Sequence, residues 1–380
     1  MKVLLMRKIR SKVLVLTPEL KVPGGVSNFF EALCLDQYVN INYFFISFSR
    51  EEKWIESIYR LLRNYYLFIK ILQKGEVSVV HANPSLNIKS FLRDGLYVFI
   101  AQAMNIKTIT FFHGWDELFE GKLRRNMFLK WFFSKTFQKS EHILVLSKKF
   151  KIKLIDLGCS ESTTQFHLLT TVADTSFIQD FSMEAKFNSY DDEIVILFLS
   201  RIEKSKGVFI AIKAFDQLQN EVKHLKFKLI VAGDGAALEE AKQTVIDQQI
   251  DNIEFTGYVR NDAKKAVLLS SHILLFPTYY GEGMPTNILE GMLYGMPVVS
   301  RYNAGIADAV EQGVNGYLTE SLDPKVFVNL LKQIVLNKDH YEQIAIKNNQ
   351  KALEKYSPER VNEKLMSIYN TTLPEKLLVL

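Results

Sequence analysis

Short apolar runs alternate with longer amphipathic stretches along this chain. Lys12–Leu16 (KVLVL), Tyr43–Ser47, Val77–Val80, Thr108–Phe112 and Ile143–Leu146 read as strands, and helical spacing fills 52–74, 88–104 and 122–139. A polar stretch, Lys186 to Glu193 (KFNSYDDE), interrupts the pattern, which then restarts. Strands are predicted at Ile194–Leu199, Phe227–Ala232, Ile253–Thr256, Ile273–Phe276 and Pro297–Ser300, with helices at about 207–218, 236–248, 261–270 and 286–294. Runs such as IVILFL (194–199) are apolar at every position, as suits a strand covered on both faces. Such alternation implies parallel βαβ units, so the expected class is α/β with two doubly wound domains. The boundaries are placed at 1–185 and 186–356, with 357–380 holding a last helix over Ser357–Tyr369. Open α/β sheets bind ligands at the carboxyl ends of their strands, and the expected site is a cleft between the two domains.

Composition narrows the class. Of 380 residues, 48% are hydrophobic and 23% charged, which excludes a disordered or collagen-like chain. No apolar run reaches membrane-spanning length. The N-terminus, MKVLLMRKIRSKVLVL, is broken by Arg7, Lys8, Arg10 and Lys12, unlike a signal peptide. Two cysteines, Cys34 and Cys159, cannot build a disulfide framework or a cysteine-rich metal site. A cytoplasmic protein is expected. The net charge of +5 is unevenly spread: residues 1–180 hold 25 Lys+Arg against 16 Asp+Glu, and the remainder 22 against 26. A basic half suggests an anionic partner, either a membrane surface or a phosphate-bearing substrate. No nucleic-acid-binding motif is present, and none is expected as a partner.

The informative residues stand at strand ends. Gly24-Gly25-Val26 follows the first strand and precedes a helix, which suits either close approach of an anion or a plain tight turn. His113-Gly114 ends another strand, as a substrate contact, a proton donor or an ordinary polar loop residue. In SRIEKSKG (200–207), Arg201 and Lys206 would emerge at a strand's carboxyl end and hold a diphosphate, unless both are simply solvated. Gly233-Asp234-Gly235 begins like a dinucleotide fingerprint, but lacks the third glycine and the later acidic residue, so a tight turn is the better account. GEGMPTNILEG (281–291) carries the strongest signal. Glu282 and Glu290 could bind sugar or ribose hydroxyls, and the first-turn amides near Thr286 and Asn287 could bind phosphate. The alternative is a helix-capping Glu282 and a solvated Glu290.

Taken in order, Gly-Gly-Val, His-Gly, Arg-x4-Lys-Gly, Gly-Asp-Gly and Glu-x7-Glu resemble the family-four retaining glycosyltransferases of GT-B fold (glycosyl transferases group 1). Val314-Asn315-Gly316-Tyr317 matches a later turn of that family, and Leu168–Phe177 stands loosely where it has a hinge. The resemblance spans roughly 12–320 and is thin over 35–105. It implies two Rossmann-like domains facing each other across a cleft, the first for the acceptor and the second for a nucleotide-sugar, with the C-terminal helix crossing back. It also implies roles. Gly24, Gly25, Arg201, Lys206, Thr286 and Asn287 would hold the donor diphosphate. Glu282, Gly283 and Met284 would grip the sugar, and Glu290 the ribose. Gly257, Tyr258 and Val259 would receive the base. His113 and Glu282 would act at the reacting centre. Ser200 stands where the family usually has Gly, and Ala304-Gly305-Ile306-Ala307-Asp308 where it has Gly-Gly-Ile-Pro-Glu.

The expected reaction moves a hexose-type sugar, with retention, from a UDP-sugar ahead of a GDP-sugar to a saccharide or lipid-linked acceptor in cell-surface polysaccharide or glycolipid synthesis. No Asp-x-Asp pair stands at a strand end, so no metal or other cofactor is expected. An epimerase or phosphorylase on the same fold, or a non-catalytic nucleotide-binding subunit, are the competing functions. Over 52–74, Arg60, Arg63, Lys70 and Lys74 share a stripe opposite Leu61, Tyr65, Phe68 and Leu72. That is either a solvated surface helix or a peripheral contact with the inner face of the cell membrane. The basic, aromatic segment 122–139 is a weaker sign of the same.

Overall fold

The computed structural model describes residues 13–22, 24–47, 54–176 and 178–373. Expectations for the first twelve residues, for 52 and 53, and for Phe177 lie outside the described residues. The chain divides into two units, Met1–Thr170 with Val361–Leu380, and Thr171–Arg360.

The first unit runs β1 (Val13–Pro18), α1 (Gly25–Leu33), β2 (Ile41–Ser47), α2 (Trp54–Gln73), β3 (Val79–Ala82), β4 (Ser85–Leu86), α3 (Ile88–Ala103), β5 (Lys107–Phe112), β6 (Gly114–Trp115), α4 (Glu117–Arg125), α5 (Met127–Lys135), β7 (His142–Val145), α6 (Lys148–Asp156) and β8 (Gln165–Leu168). Six strands form one parallel sheet in the order β2-β1-β3-β5-β7-β8. From β2 to β8 the chain crosses the sheet in one direction. Right-handed crossovers therefore place α2, α3, α5 and α6 on one face and α1 on the other. The predicted helix over 122–139 is two helices and a turn. Asn126 is extended there, and its side chain accepts from the Leu129 amide to start α5 afresh. β8 (QFHL) was not expected. It is an edge strand, half exposed, and carries little apolar signal.

The second unit runs α7 (Met183–Asp192), β9 (Ile194–Leu199), α8 (Val208–Glu221), β10 (Phe227–Ala232), α9 (Leu238–Asp247), β11 (Ile253–Gly257), α10 (Asn261–Ser270), β12 (Ile273–Phe276), α11 (Thr286–Leu293), β13 (Val298–Arg301), α12 (Ala304–Ala309), β14 (Gly316–Thr319), α13 (Pro324–Val335) and α14 (Lys338–Lys355). Its parallel sheet has the order β11-β10-β9-β12-β13-β14. The β9 run IVILFL lies at the centre and is buried along nearly its whole length. The polar stretch that interrupts the strand pattern, 186–193, forms most of α7. Lys186 is buried there, and Tyr190 stacks on Tyr341 at 4.0 Å. The chain closes with α15 (Pro358–Thr372). From Val361 on it belongs to the first unit, where Tyr369 bonds His81 Nδ1 at 2.6 Å and Lys107 donates to the Thr372 carbonyl at 2.9 Å.

Candidate active site

In each sheet the strand order reverses beside the first strand of the unit, between β1 and β3 and between β9 and β12. Such switch points are where doubly wound sheets bind ligands. The residues singled out in the sequence fall at these points or on the loops beside them.

In the second unit, Lys206 and Glu282 converge from β9 and β12. The chain after β9 makes a short 3-10 turn over Lys204–Lys206 and enters α8 through Gly207. Gly207 has φ +87°, and a Cβ there would lie 2.3 Å from the Pro277 carbonyl oxygen, so only glycine brings this loop so close to the end of β12. That approach seats Lys206 beside Glu282. The Lys206 ammonium donates to Glu282 Oε1 at 2.6 Å and sits 4.0 Å from the Tyr280 ring centroid. Thr278 Oγ1 donates to the same carboxylate oxygen at 2.9 Å. Both charged side chains are buried. Every hydrogen bond found for Glu282 among the described residues falls on Oε1, which leaves Oε2 to accept from a ligand. Arg201 lies at the rim, exposed, paired with Glu203 at 2.5 Å and 5.9 Å from the Tyr280 ring.

Helix α11 begins just after this pair, and no side chain caps its N-terminus. Its first amides are free for an anion, and the helix dipole favours one. Asn287 is tied down through Nδ2 to the Leu199 carbonyl at 2.7 Å, fixing α11 to the end of β9, while its buried Oδ1 has no partner. Gly283 accepts from the Gly305 amide at 2.8 Å, and the Met284 carbonyl from Thr171 at 3.0 Å.

Glu290 is one turn further along α11 and is buried. Lys264 of α10 donates to its Oε1 at 2.7 Å, with Asp174 3.8 Å from the same ammonium. Burial pushes the Glu290 carboxyl up despite the ammonium, while Glu290 outweighs burial at Lys264 and holds the lysine above its usual range. The two buried carboxylates are thus built alike, each held by a lysine through Oε1. Gly257 (φ +70°) ends β11, and Tyr258 and Val259 follow it; Tyr258 is exposed and Arg260 Nε donates to its hydroxyl at 2.9 Å. Gly233 and Gly235 make a tight turn that backs the Ser200–Ile202 loop. A Cβ on Gly233 would lie 1.8 Å from the Ser200 carbonyl oxygen.

In the first unit, Gly24 and Gly25 open α1, whose N-terminus likewise lacks a side-chain cap. A Cβ on Gly25 would meet nothing within 4 Å. No steric demand of its own unit calls for a glycine there, and the space beside the α1 amides is open. His113 follows β5 and is half-buried against Phe111, ring centroids 3.9 Å apart. Asn83, at the end of β3, donates through Nδ2 to the Leu16 carbonyl at 3.0 Å, so its Oδ1 accepts from His113 Nε2 at 3.0 Å. That fixes the tautomer, with the proton on Nε2 and Nδ1 an acceptor. Burial, aided by nearby His81, pushes the His113 imidazole down to about 3. At neutral pH the ring is therefore uncharged, with Nδ1 able to accept from a substrate hydroxyl.

The structure gathers Arg201, Lys206, Glu282, Gly283, Met284, Thr286, Asn287 and Glu290 along one strand-end region of the second unit. Gly24, Gly25 and His113 do the same in the first. Sequence reasoning missed Lys264, Thr278, Tyr280 and Asn83. Asn83 stands at a strand end and Tyr280 borders the strongest motif, so both had a positional signal. Lys264, four residues into a polar helix, had none.

The family model described as "Glycosyl transferases group 1" matches residues 180–352. A putative colanic acid biosynthesis glycosyltransferase, WcaL, of Salmonella typhimurium is 27% identical over 184 residues, 46% of this chain and 45% of that protein. An alpha-1,4-N-acetyl-D-galactosaminyltransferase of Campylobacter jejuni, whose name carries a PP-undecaprenol-linked saccharide, is 24% identical over 190 residues, 50% of this chain and 51% of its own. The chain thus spans about half the length of the curated relatives it matches. Among solved structures, Anabaena HepE in complex with UDP and glucose superposes with a TM-score of 0.70 at 16% identity, covering 95% of this chain and 100% of that one. The sheet orders, the strand-end site and these likenesses agree: residues 180–352 match the family glycosyl transferases group 1, and the chain has a GT-B fold.

Proposed function

We propose that the protein is a family-four retaining glycosyltransferase that transfers a hexose-type sugar from a UDP-sugar to a saccharide or lipid-linked acceptor in cell-surface polysaccharide synthesis. The observation that carries this is the buried Lys206–Glu282 pair beside the uncapped start of α11, at the switch point of the second sheet. The relatives' names, colanic acid synthesis among them, and the UDP bound by HepE support the substrate class.

The chemistry follows from charge. The bond from the sugar's anomeric carbon to the phosphate oxygen breaks, and a bond to the acceptor oxygen forms on the same face. The acceptor's proton passes to the departing phosphate, and the nucleoside diphosphate leaves. Negative charge grows on the phosphate oxygens as this happens. Lys206, which has donors beyond the one given to Glu282, Arg201 at the rim, and the α11 amides near Thr286 and Asn287 are fixed in advance to stabilise it. Glu282 Oε2, beside Gly283 and Met284, accepts from sugar hydroxyls, and Glu290 from the ribose. The backbone at Gly257-Tyr258-Val259 takes the base. In the first unit, Gly24 and Gly25 free the α1 amides for the diphosphate, and His113 Nδ1 accepts from a sugar hydroxyl. Protein cations and amides hold the phosphate charge on this assignment, so it calls for no metal, and excess EDTA leaves the rate unchanged.

Thermal unfolding with UDP, GDP and ADP tests the donor site. UDP at about 100 times its dissociation constant is expected to add roughly 2.7 kcal/mol to the wild type. Glu290→Gln, which keeps the side chain's size, is expected to lose most of that. Absence of stabilisation by all three nucleotides would overturn the donor assignment.

A further inference from the structure

The outer surface of α2, α3 and α5 is more apolar than an open surface of a soluble protein requires. On α3 the outward positions are Ile88, Leu92, Leu96 and Phe99, all exposed. Their spacing puts them in one stripe, where a solvated helix carries polar residues. The acid of this helix, Asp94, is buried and bonded to Arg93 at 2.7 Å.

Helix α2 lies along one side of α3, with the Tyr65 and Tyr97 rings 4.5 Å apart and Tyr65 bonded to the Arg93 carbonyl at 3.1 Å. As the sequence pattern predicts, Phe68 and Leu72 point inward and Arg63, Lys70 and Lys74 outward; Arg60 is half-buried. A second apolar line, Tyr59, Leu62 and Tyr66, shares the exposed side with those cations. Helix α5 lies along the other side of α3. Phe132 fills the seam, so close that a Cβ on Gly95 would be 2.4 Å from its ring. Phe128 and Trp131 stay exposed beyond it, their rings 5.9 Å apart.

The three helices are neighbours in one layer, so their exposed apolar residues share one face. The charge on that face has one sign. Arg63, Lys70, Lys74, Lys89, Lys130 and Lys135 are exposed on or at the ends of these helices, and no exposed Asp or Glu lies among their described side chains. Apolar side chains with Tyr and Trp, ringed by cations and with no exposed acid among the described side chains, match the headgroup zone of an anionic bilayer. No helix among the described residues is long and apolar enough to cross a membrane. We propose that the α2–α3–α5 face of the first unit docks flat on an anionic lipid bilayer. The inference uses none of the donor-site residues and stands or falls apart from glycosyl transfer.

The test is sedimentation of the full chain with vesicles of phosphatidylcholine, alone or mixed with phosphatidylglycerol. Binding is expected to the mixed vesicles and not to phosphatidylcholine alone, weakening with salt. Lys70→Gln and Lys130→Gln are each expected to lower the partition coefficient about fivefold. Leu96→Gln with Phe99→Gln, both exposed and so neutral for folding, is expected to lower it at least tenfold. Trp131 fluorescence, isolated by difference from Trp131→Phe, is expected to shift to the blue on the mixed vesicles. Failure of the wild type to bind them at low salt would overturn the proposal, as would equal binding by the Leu96/Phe99 variant. So would loss of a dimer in that variant with vesicle binding unchanged, which would assign the face to a second copy.

Discussion

The two units share a sheet plan but differ in what they do with charge. The second buries its charges in pairs at the strand ends, Lys206 with Glu282 and Lys264 with Glu290. Among the described residues, the first has no buried ion pair at its switch point. It offers open space at Gly25 and a neutral histidine held by Asn83. A buried pair costs desolvation and is poor value for stability alone, so two of them beside a free helix N-terminus support the proposed donor site. Away from the strand ends the first unit pairs Arg93 with Asp94 and Lys153 with Glu120, and it carries other cations outside, among exposed aromatic and aliphatic side chains. On the two proposals above, the same fold separates a site for charge in transit from a surface for contact.

Activity breaks this comparison most sharply. Removing a preorganised charge from the second unit by Lys206→Ala is expected to cut turnover by about 100–1,000-fold. Arg201→Ala, at an exposed rim position screened by water, is expected to cost about tenfold, measured by the same transfer assay. Equal losses would mean that burial does not set the ranking, and unchanged rates would remove the diphosphate assignment.

Stability gives the next contrast. Gly233→Ala forces a Cβ into the Ser200 carbonyl at a φ of +147° and is expected to cost at least about 3 kcal/mol in the second unit. Gly25→Ala enters open space in the first helical turn and is expected to change stability by about 0.5 kcal/mol or less, while weakening nucleotide binding. Denaturant midpoints and a nucleotide titration separate the two effects. A destabilised Gly25→Ala would return that turn to a structural role.

The units differ in pH dependence as well. Burial lowers His81 and His113 to about 3, and His142 to about 4, in the first unit; His272 of the second is lowered to about 3. Unfolded histidines bind protons from about pH 6.5, so between there and the folded values the unfolded state holds more protons and stability falls as pH falls. Burial also lowers His167 of the first unit, which with four such groups against one is expected to lose more between pH 6.5 and 4. Burial lowers Lys186 of the second unit to about 7, so that unit gains stability as pH rises from 7 toward 10.5. Urea melts followed by peptide-resolved hydrogen exchange would show which unit opens first.

Much of this was legible without coordinates. Buried parallel strands must be apolar on both faces, so nine of the ten predicted strands stand out as runs whatever they pack against, and Val77–Val80 is displaced by only two residues toward Ala82. Glu282 and Glu290 were legible because a strand end followed by Pro-Thr-Asn predicts a helix start. What stayed hidden depends on neighbours distant in the chain. Asn126 splits a helix by capping, and the polar stretch from Lys186 packs as a helix. Lys264 reaches Glu290 across 26 positions.

The sequence by itself determined the α/β alternation, the two sheets and the strand-end motifs, because periodicity and loop chemistry are local properties of the chain. Only the tertiary structure decided which charges are paired, which tautomer His113 holds, and that three separate helices present one apolar, basic face. Each of those is set by burial and by partners that the fold, not the chain order, brings together.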